Sequence, residues 1–396
     1  MNGERSSAAN VELDAHQGRD RATPGFPFTK VGITGATGTV AAEFIRFLVD
    51  RASGLDRVTA SCRDVRSAKA RRLAAIPKVD LIEGSIVDAA VVREIVSRSE
   101  IVYHLAAWLA NTKMPESYDE IFAVNALSTA VIARLCVRAN KRLVFASSHS
   151  VYFAGAYQGL IAEDTYTFRS DFTDWIAAVT PAYFELADRI IADAGAGVDP
   201  IDGVRGIHDV YPPPLEPLIY GKDEYHLYCL TKLLAEAFVL AHSGCVLRLG
   251  NVYGPGDDSA QAIGELCRRL LAASPGDSIA VRQPNKKIVP AYIGDIHEAL
   301  YRAAGVAITP GFRPVFTTAS HEEYLREDEL LASVAEALAR IREDARFEIE
   351  MLPEDKERPV FRYDLTKLTT VLLPGFTPTP LVDGLEAQLR RLLGRG

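Results

Sequence analysis

The chain reads as an α/β protein built on a doubly wound parallel sheet, and two observations predict it. The first is "KVGITGATGTVAAEFIRFLVDRA", beginning at Lys30. It joins a short apolar run to a glycine-punctuated turn and then to a helical pattern with Ile45, Leu48, Val49 and Ala52 on one face. The second is the succession behind it. "RVTASCR", "VDLIEGS", "EIVYHLAAW", "RLVFASS" and "GCVLRLGNVYG" are apolar runs separated by helix-compatible segments, the pattern of parallel strands covered by helices on both faces.

Composition agrees with a large folded enzyme. The 396 residues, 48% of them hydrophobic, are many for one domain. The formal net charge is −8, and lysines and arginines are dispersed, which argues against nucleic acid as a partner. The cysteines at 62, 136, 229, 245 and 267 are odd in number and match no metal-ligand spacing, so a reducing cytoplasm and no metal are expected. Residues 1–28 are polar, lack the apolar core of a secretory signal, and read as a flexible tail. No apolar run reaches the roughly eighteen residues of a membrane span, so no membrane partner is expected.

The turn after the first strand carries chemistry. Gly35 and Gly38 let the backbone approach a pyrophosphate, whose charge is favoured by the free N–H groups opening a helix, and Ala41 is small enough for close helix packing. The second strand ends at Cys62, where an NAD-type fold places the acidic residue for the ribose 2′-hydroxyl. Arg63 follows it and suits a 2′-phosphate, so NADP is preferred over NAD; the alternative is a solvated strand end.

The order "TGATGTVA", "VYHLAA", "VNALST", "FASSHSVY", "YCLTK", "LRLGNVYGPG" and "VPAYIGDIHEAL" resembles the extended short-chain dehydrogenase/reductase family, in particular its sugar-nucleotide epimerase/dehydratase branch, across residues 30 to 394. The resemblance implies a Rossmann-type dinucleotide-binding region over 29–152. It implies that the core resumes with a catalytic helix and strand at 223–253, and that 254–396 is mainly a smaller substrate domain. Cofactor contacts implied are Thr34, Gly35, Thr37, Gly38 and Thr39 in the turn, Leu105, Ala106 and Ala107 after the fourth strand, and Asn125, which otherwise supports the active-site end of its helix.

Tyr228 and Lys232 stand one helical turn apart, so both project from one face. The resemblance makes Tyr228 the proton donor or acceptor and Lys232 the cation that lowers its pKa and holds the nicotinamide ribose; a free phenol near pKa 10 is a poor base. Tyr225 competes, but its fourth-following residue is Cys229. Alignment within "SSHSVY" selects Ser148 as the hydroxyl partner. Where 4,6-dehydratases carry Asp-Glu, this chain has His149 and Ser150, which disfavours that reaction and leaves His149 as local hydrogen bonding or a substrate contact. Asn251 and Arg248 fall where such enzymes contact the substrate diphosphate, and Asp295 reads as a helix N-cap. "RQPNKKI" departs from the branch's "GxxxRDF", leaving Lys286 and Lys287 as phosphate candidates.

Between Ser148 and Tyr228 lies an insertion, residues 153–222. It carries a helix starting at Thr180 and Pro181 with a stripe at Tyr183, Leu186, Ala187, Ile190, Ile191 and Ala194, stopped by Gly195, and then the stiff "YPPPLEPLIYG". It reads as a lid or an oligomer contact. The expected function is an NAD(P)-dependent epimerase of a sugar nucleotide. The alternatives are an NADPH-dependent ketoreductase and a non-catalytic dinucleotide-binding protein. A homodimer is expected through helices near 120–140 and 228–243, by resemblance alone.

Overall fold

The computed structural model describes residues 25–109, 117–155, 159–193, 197–214, 223–257, 262–283, 286–351 and 361–394, with backbone alone at 223–226. The central sheet has seven parallel strands: β1 Lys30–Thr34, β2 Arg57–Cys62, β3 Val79–Glu83, β4 Ile101–His104, β5 Arg142–Ser148, β6 Cys245–Leu249 and β7 Val315–Thr318. Their spatial order is β7-β6-β5-β4-β1-β2-β3, so the winding reverses between β1 and β4. In open α/β sheets ligands bind in the crevice beyond the strand ends at that reversal.

The helices are α1 Thr39–Arg51, α2 Ala68–Ala74, α3 Ala89–Ser97, α4 Tyr118–Phe122, α5 Ser128–Arg138, α6 Ser170–Ala192, α7 Pro200–Val210, α8 Asp223–Ala241, α9 Ala262–Ala272, α10 Ile293–Ala303, α11 Glu327–Ala339 and α12 Leu381–Leu392. One face of the sheet packs against α1 and α10, with Phe44, Tyr103 and Leu300 buried between them. On the other face, Val102, Phe145 and Val246 from the strands join apolar side chains of α5, α6 and α8. A smaller core gathers α9, α11 and α12 around Leu266, Leu330 and Leu385. Tyr118–Arg138 is long and apolar enough to cross a membrane, with mean hydropathy 1.6, but 78% of that window is buried inside the fold.

Several expectations are corrected. The tail does not reach 28: Phe26 packs on Tyr301 at 5.1 Å between ring centroids. Asp295 is not an N-cap. Tyr292 holds that position, and Asp295 in the first turn of α10 accepts from Thr379 N and Oγ1 at 2.9 and 2.7 Å, docking the C-terminal segment. Helix α6 begins at Ser170 rather than near Pro181 and runs through the proline. The ring is exposed to solvent, and so is Ala177, whose carbonyl the proline cannot serve as N–H donor. Phe172, Trp175, Ile176, Val179, Tyr183, Leu186, Ala187 and Ile190 form one buried stripe against α5 and α8. The described part of the insertion is thus a layer of the core, not a flap over the strand ends. Gly195 and most of the proline-rich stretch lie outside the described residues, as does the side chain of Tyr225.

A buried relay ties the insertion to α4. Tyr183 Oη meets His208 Nε2 at 3.0 Å, and His208 Nδ1 meets Asp119 Oδ1 at 2.7 Å.

Candidate active site

The crevice between β1 and β4 is built by close backbone approach. Gly35 has φ +73°, and a Cβ there would stand 2.9 Å from both Cα and Cβ of Ala106, so only glycine fits without moving the neighbouring loop. Gly38 caps α1 without a side chain, leaving first-turn N–H groups for an anion. Thr37, Gly38 and Thr39 are accessible there, with Leu105, Ala106 and Ala107 half-buried opposite. These features fit a dinucleotide pyrophosphate. Arg63 is exposed at the end of β2.

Thr34 acts differently from its expected role. It is buried, and its Oγ1 accepts from the N–H groups of Leu105 and Ala106, each at 3.1 Å, so it shapes the crevice instead of lining it. Its proton goes to His104 Nδ1 at 2.8 Å. Thr129 Oγ1 donates to Asn125 O at 2.7 Å and therefore accepts from His104 Nε2 at 3.0 Å. The tautomer is thereby set, and burial pushes His104 down to about 3, keeping it neutral. Asn125 sits in a single π-helical turn at Ala123–Leu127. Its amide accepts from Trp108 N at 2.7 Å and donates to Trp108 O and Thr231 Oγ1, each at 3.1 Å. It joins the loop after β4 to α8, a support role, and is buried away from any ligand.

Three consecutive residues at the end of β5 engage three successive turns of α8. Ser148 hydrogen-bonds Tyr228, Ala146 O accepts from Lys232 Nζ at 2.8 Å, and Ser147 Oγ donates to Glu236 at 2.6 Å. Ser148, Tyr228 and Lys232 are thus together at the carboxyl end of the sheet. Ser148 also accepts from Ser150 N at 3.1 Å, which orients its hydroxyl. Burial raises the Tyr228 phenol and outweighs the Ser148 hydrogen bond, so Tyr228 is held protonated. Lys232 is pushed down to about 7 by burial against the pull of Glu236. It is therefore not the fully charged ammonium expected from the motif alone.

Of the three expected substrate contacts, Arg248 is reassigned, while Asn251 and His149 make local hydrogen bonds. Arg248 is wholly buried, with Nε and Nη2 on the Glu236 carboxylate at 2.9 and 2.6 Å and its guanidinium carbon 4.7 Å from the Tyr152 ring centroid; it belongs to the interior, not to a substrate wall. Asn251 Oδ1 accepts from Val289 N at 2.8 Å, so its carbonyl joins two short strands. His149 Nδ1 meets Tyr363 Oη at 3.1 Å, and burial takes the ring down to about 4, the local hydrogen bond that was one of its two expected roles. Lys287 lies over the Tyr324 and Phe361 rings at 5.6 and 5.7 Å. Lys286 lines a cleft of about 160 Å³ with Arg269, Arg282 and Glu327. Glu236 itself was missed; the signal was a carboxylate eight residues beyond Tyr228 on the same helix face. Among the described residues no group of three or more His, Cys, Asp or Glu could hold a metal ion.

Residues 31–171 match the NAD dependent epimerase/dehydratase family. No curated protein matches the sequence. Among solved structures, the chain is similar to the Bordetella bronchiseptica enzyme WbmH in complex with NAD+, at 18% identity and TM-score 0.61, over 92% of this chain and 98% of that one. It is similar to UDP-glucuronic acid 4-epimerase from Bacillus cereus in complex with NAD, at 16% identity and TM-score 0.60, over 92% and 99%. It is also similar to MoeE5 in complex with UDP-glucuronic acid and NAD, at 21% identity and TM-score 0.59, over 92% and 99%. These likenesses extend the epimerase/dehydratase fold beyond the matched segment to nearly the whole chain.

Proposed function

We propose that the protein is an NAD(P)-dependent epimerase of a sugar nucleotide, working by transient removal and return of a hydride. The observation that carries this reading is the convergence of Ser148, Tyr228 and Lys232 beside the Gly35 crevice. When bound, the dinucleotide supplies the hydride acceptor and later the donor. Tyr228 Oη takes the proton of the sugar hydroxyl as it becomes a carbonyl and gives it back at the end of the cycle, so no net redox change results. Ser148 Oγ donates a hydrogen bond to the same substrate oxygen and steadies its partial charge. Lys232 is the cation this chain offers to draw down a phenol that burial holds protonated. The Arg269, Arg282 and Lys286 cleft supports an anionic substrate, as does the sugar nucleotide bound by MoeE5.

Arg63 supports acceptance of NADP, whereas the similar solved structures hold NAD. Loss of NADP preference in Arg63→Ala tests this reading. Five buried, unpaired thiols support a reducing, cytoplasmic setting. Helix α6 covers α5 and α8, the surfaces expected to pair, so we assign a homodimer contact to another face.

The test is turnover of a panel of UDP- and dTDP-hexoses and hexuronates, followed by NMR, with C4-deuterated substrate. The epimerase reading expects inverted product that keeps the label, and none from Tyr228→Phe. A second reading, an NADPH-dependent ketoreductase, is favoured by the protonated Tyr228, ready to donate to a carbonyl, and by buried Ile288 within the altered "RQPNKKI" segment. NADPH consumption with a ketone, and no sugar-nucleotide product, would replace the first reading with the second.

A further inference from the structure

We propose that Glu236 is a positioning residue for this reaction, acting through Lys232 from a buried charged cluster that Arg248 and Ser147 close. The inference rests on the reading of Lys232 as a member of the reacting set. Tyr228, Lys232 and Glu236 follow one another at four-residue steps on α8, and each is matched to a consecutive residue of β5. The strand and helix therefore cannot slide without breaking all three links together. Arg248 on β6 pairs in register with Ser147 on β5, and both deliver hydrogen bonds to the one carboxylate.

The cluster is dry, with side-chain exposures of 0% for Arg248 and 2% for Glu236, so its charges act on neighbours without solvent screening. Lys232 is equally enclosed: its ammonium lies 4.5 Å from the Phe145 ring centroid and has a backbone carbonyl as hydrogen-bond acceptor. The titratable groups facing it are Tyr228 and Glu236 on α8, His104 on β4, and, across Glu236, Arg248 on β6. Tyr228 and His104 are neutral in the resting protein, for the reasons given above. Glu236 is thus the anion of this set, and it opposes the discharge of Lys232 that burial promotes. A structural ion pair would lend stability and nothing more; this one also sets how often Lys232 carries its proton beside Tyr228.

The test is a pH titration of the full-length protein labelled with 13Cε-lysine, with the Lys232 resonance assigned by Lys232→Met. Glu236→Gln alone would strand a buried arginine, so the double variant E236Q/R248M removes both charges, an exchange that buried ion pairs commonly tolerate. Its Lys232 midpoint is expected to fall by about one unit, a tenfold loss in proton affinity. Arg248→Met, which leaves Glu236 facing Lys232 without its competitor, should raise the midpoint and decides the matter if the double variant fails to fold. A folded double variant with an unmoved midpoint, or a fall in Arg248→Met, overturns the proposal. The titration needs no substrate. Absent sugar-nucleotide turnover would therefore sink the function above, while an unmoved midpoint with turnover intact would sink this inference alone.

Discussion

Gly35→Ala is the substitution whose cost the structure specifies most fully. The residue has φ +73°, so any side chain there begins with a left-handed backbone penalty of about 1 kcal/mol. The new Cβ would lie 2.9 Å from the Cα and Cβ of Ala106 and 3.1 Å from its N, and backbone atoms cannot swing aside as a flexible side chain would. The loop after β4 must retreat, which lengthens the two 3.1 Å hydrogen bonds that Leu105 N and Ala106 N make to Thr34 Oγ1. Losing both adds about 2 kcal/mol, for a total near 3 kcal/mol. Urea unfolding followed by circular dichroism measures the loss, and fluorescence titration with NADH and NADPH measures the crevice. The expectation is a lower midpoint at unchanged slope together with dinucleotide binding weakened at least about tenfold. A variant that unfolds at the parental midpoint and binds as before would refute the account of the crevice.

Three other expectations follow from the same contacts. Asn125→Ala strands Trp108 N and takes a donor from Trp108 O and from Thr231 Oγ1, which keeps its own bond to Tyr228 O; it should cost about 2 kcal/mol in urea unfolding and weaken dinucleotide binding. Tyr183→Phe removes the partner of His208 Nε2, so it should lower stability by about 1 kcal/mol and leave kcat and KM unchanged; altered KM with unchanged stability would return the insertion to the role of a lid. His104, His149 and His297 are depressed by burial to about 3, 4 and 4. Below the unfolded value near 6.5 the unfolded chain binds protons that the folded one refuses, so unfolding midpoints should drop steadily as the pH falls from 6.5 to 4.

Much of this was legible in the chain because parallel strands and their crossing helices leave strong local patterns. The strand at "RLVFASS" and the turn at Gly35 and Gly38 stand where the pattern put them. Pro181 misled because a proline is a start signal only when the upstream face is polar. Here Phe172, Trp175, Ile176 and Val179 continue the apolar stripe, and Thr180 Oγ1 donates back to Ile176 O at 2.6 Å. Helix α7 was not read from the sequence, although Asp199 and Pro200 form a sound start, with Asp199 accepting from Ile201 N and Asp202 N at 2.7 and 3.1 Å. Strand β7, Val315 to Thr318, was not read from the sequence either. Site roles were harder than site positions. Arg248 and Glu236 each look like surface charges until the fold sets them on one buried pair, and the pairing joins a helix to a strand across a turn that local periodicity does not describe.

The most direct test of the central claim is to denature the purified protein, separate the released dinucleotide by chromatography, and record its identity, oxidation state and stoichiometry. A cycle in which Tyr228 and Ser148 serve an internal hydride return predicts oxidised dinucleotide at about one per chain, surviving purification. An empty protein that binds added NADPH and, given a ketone to reduce, releases it oxidised would contradict that cycle.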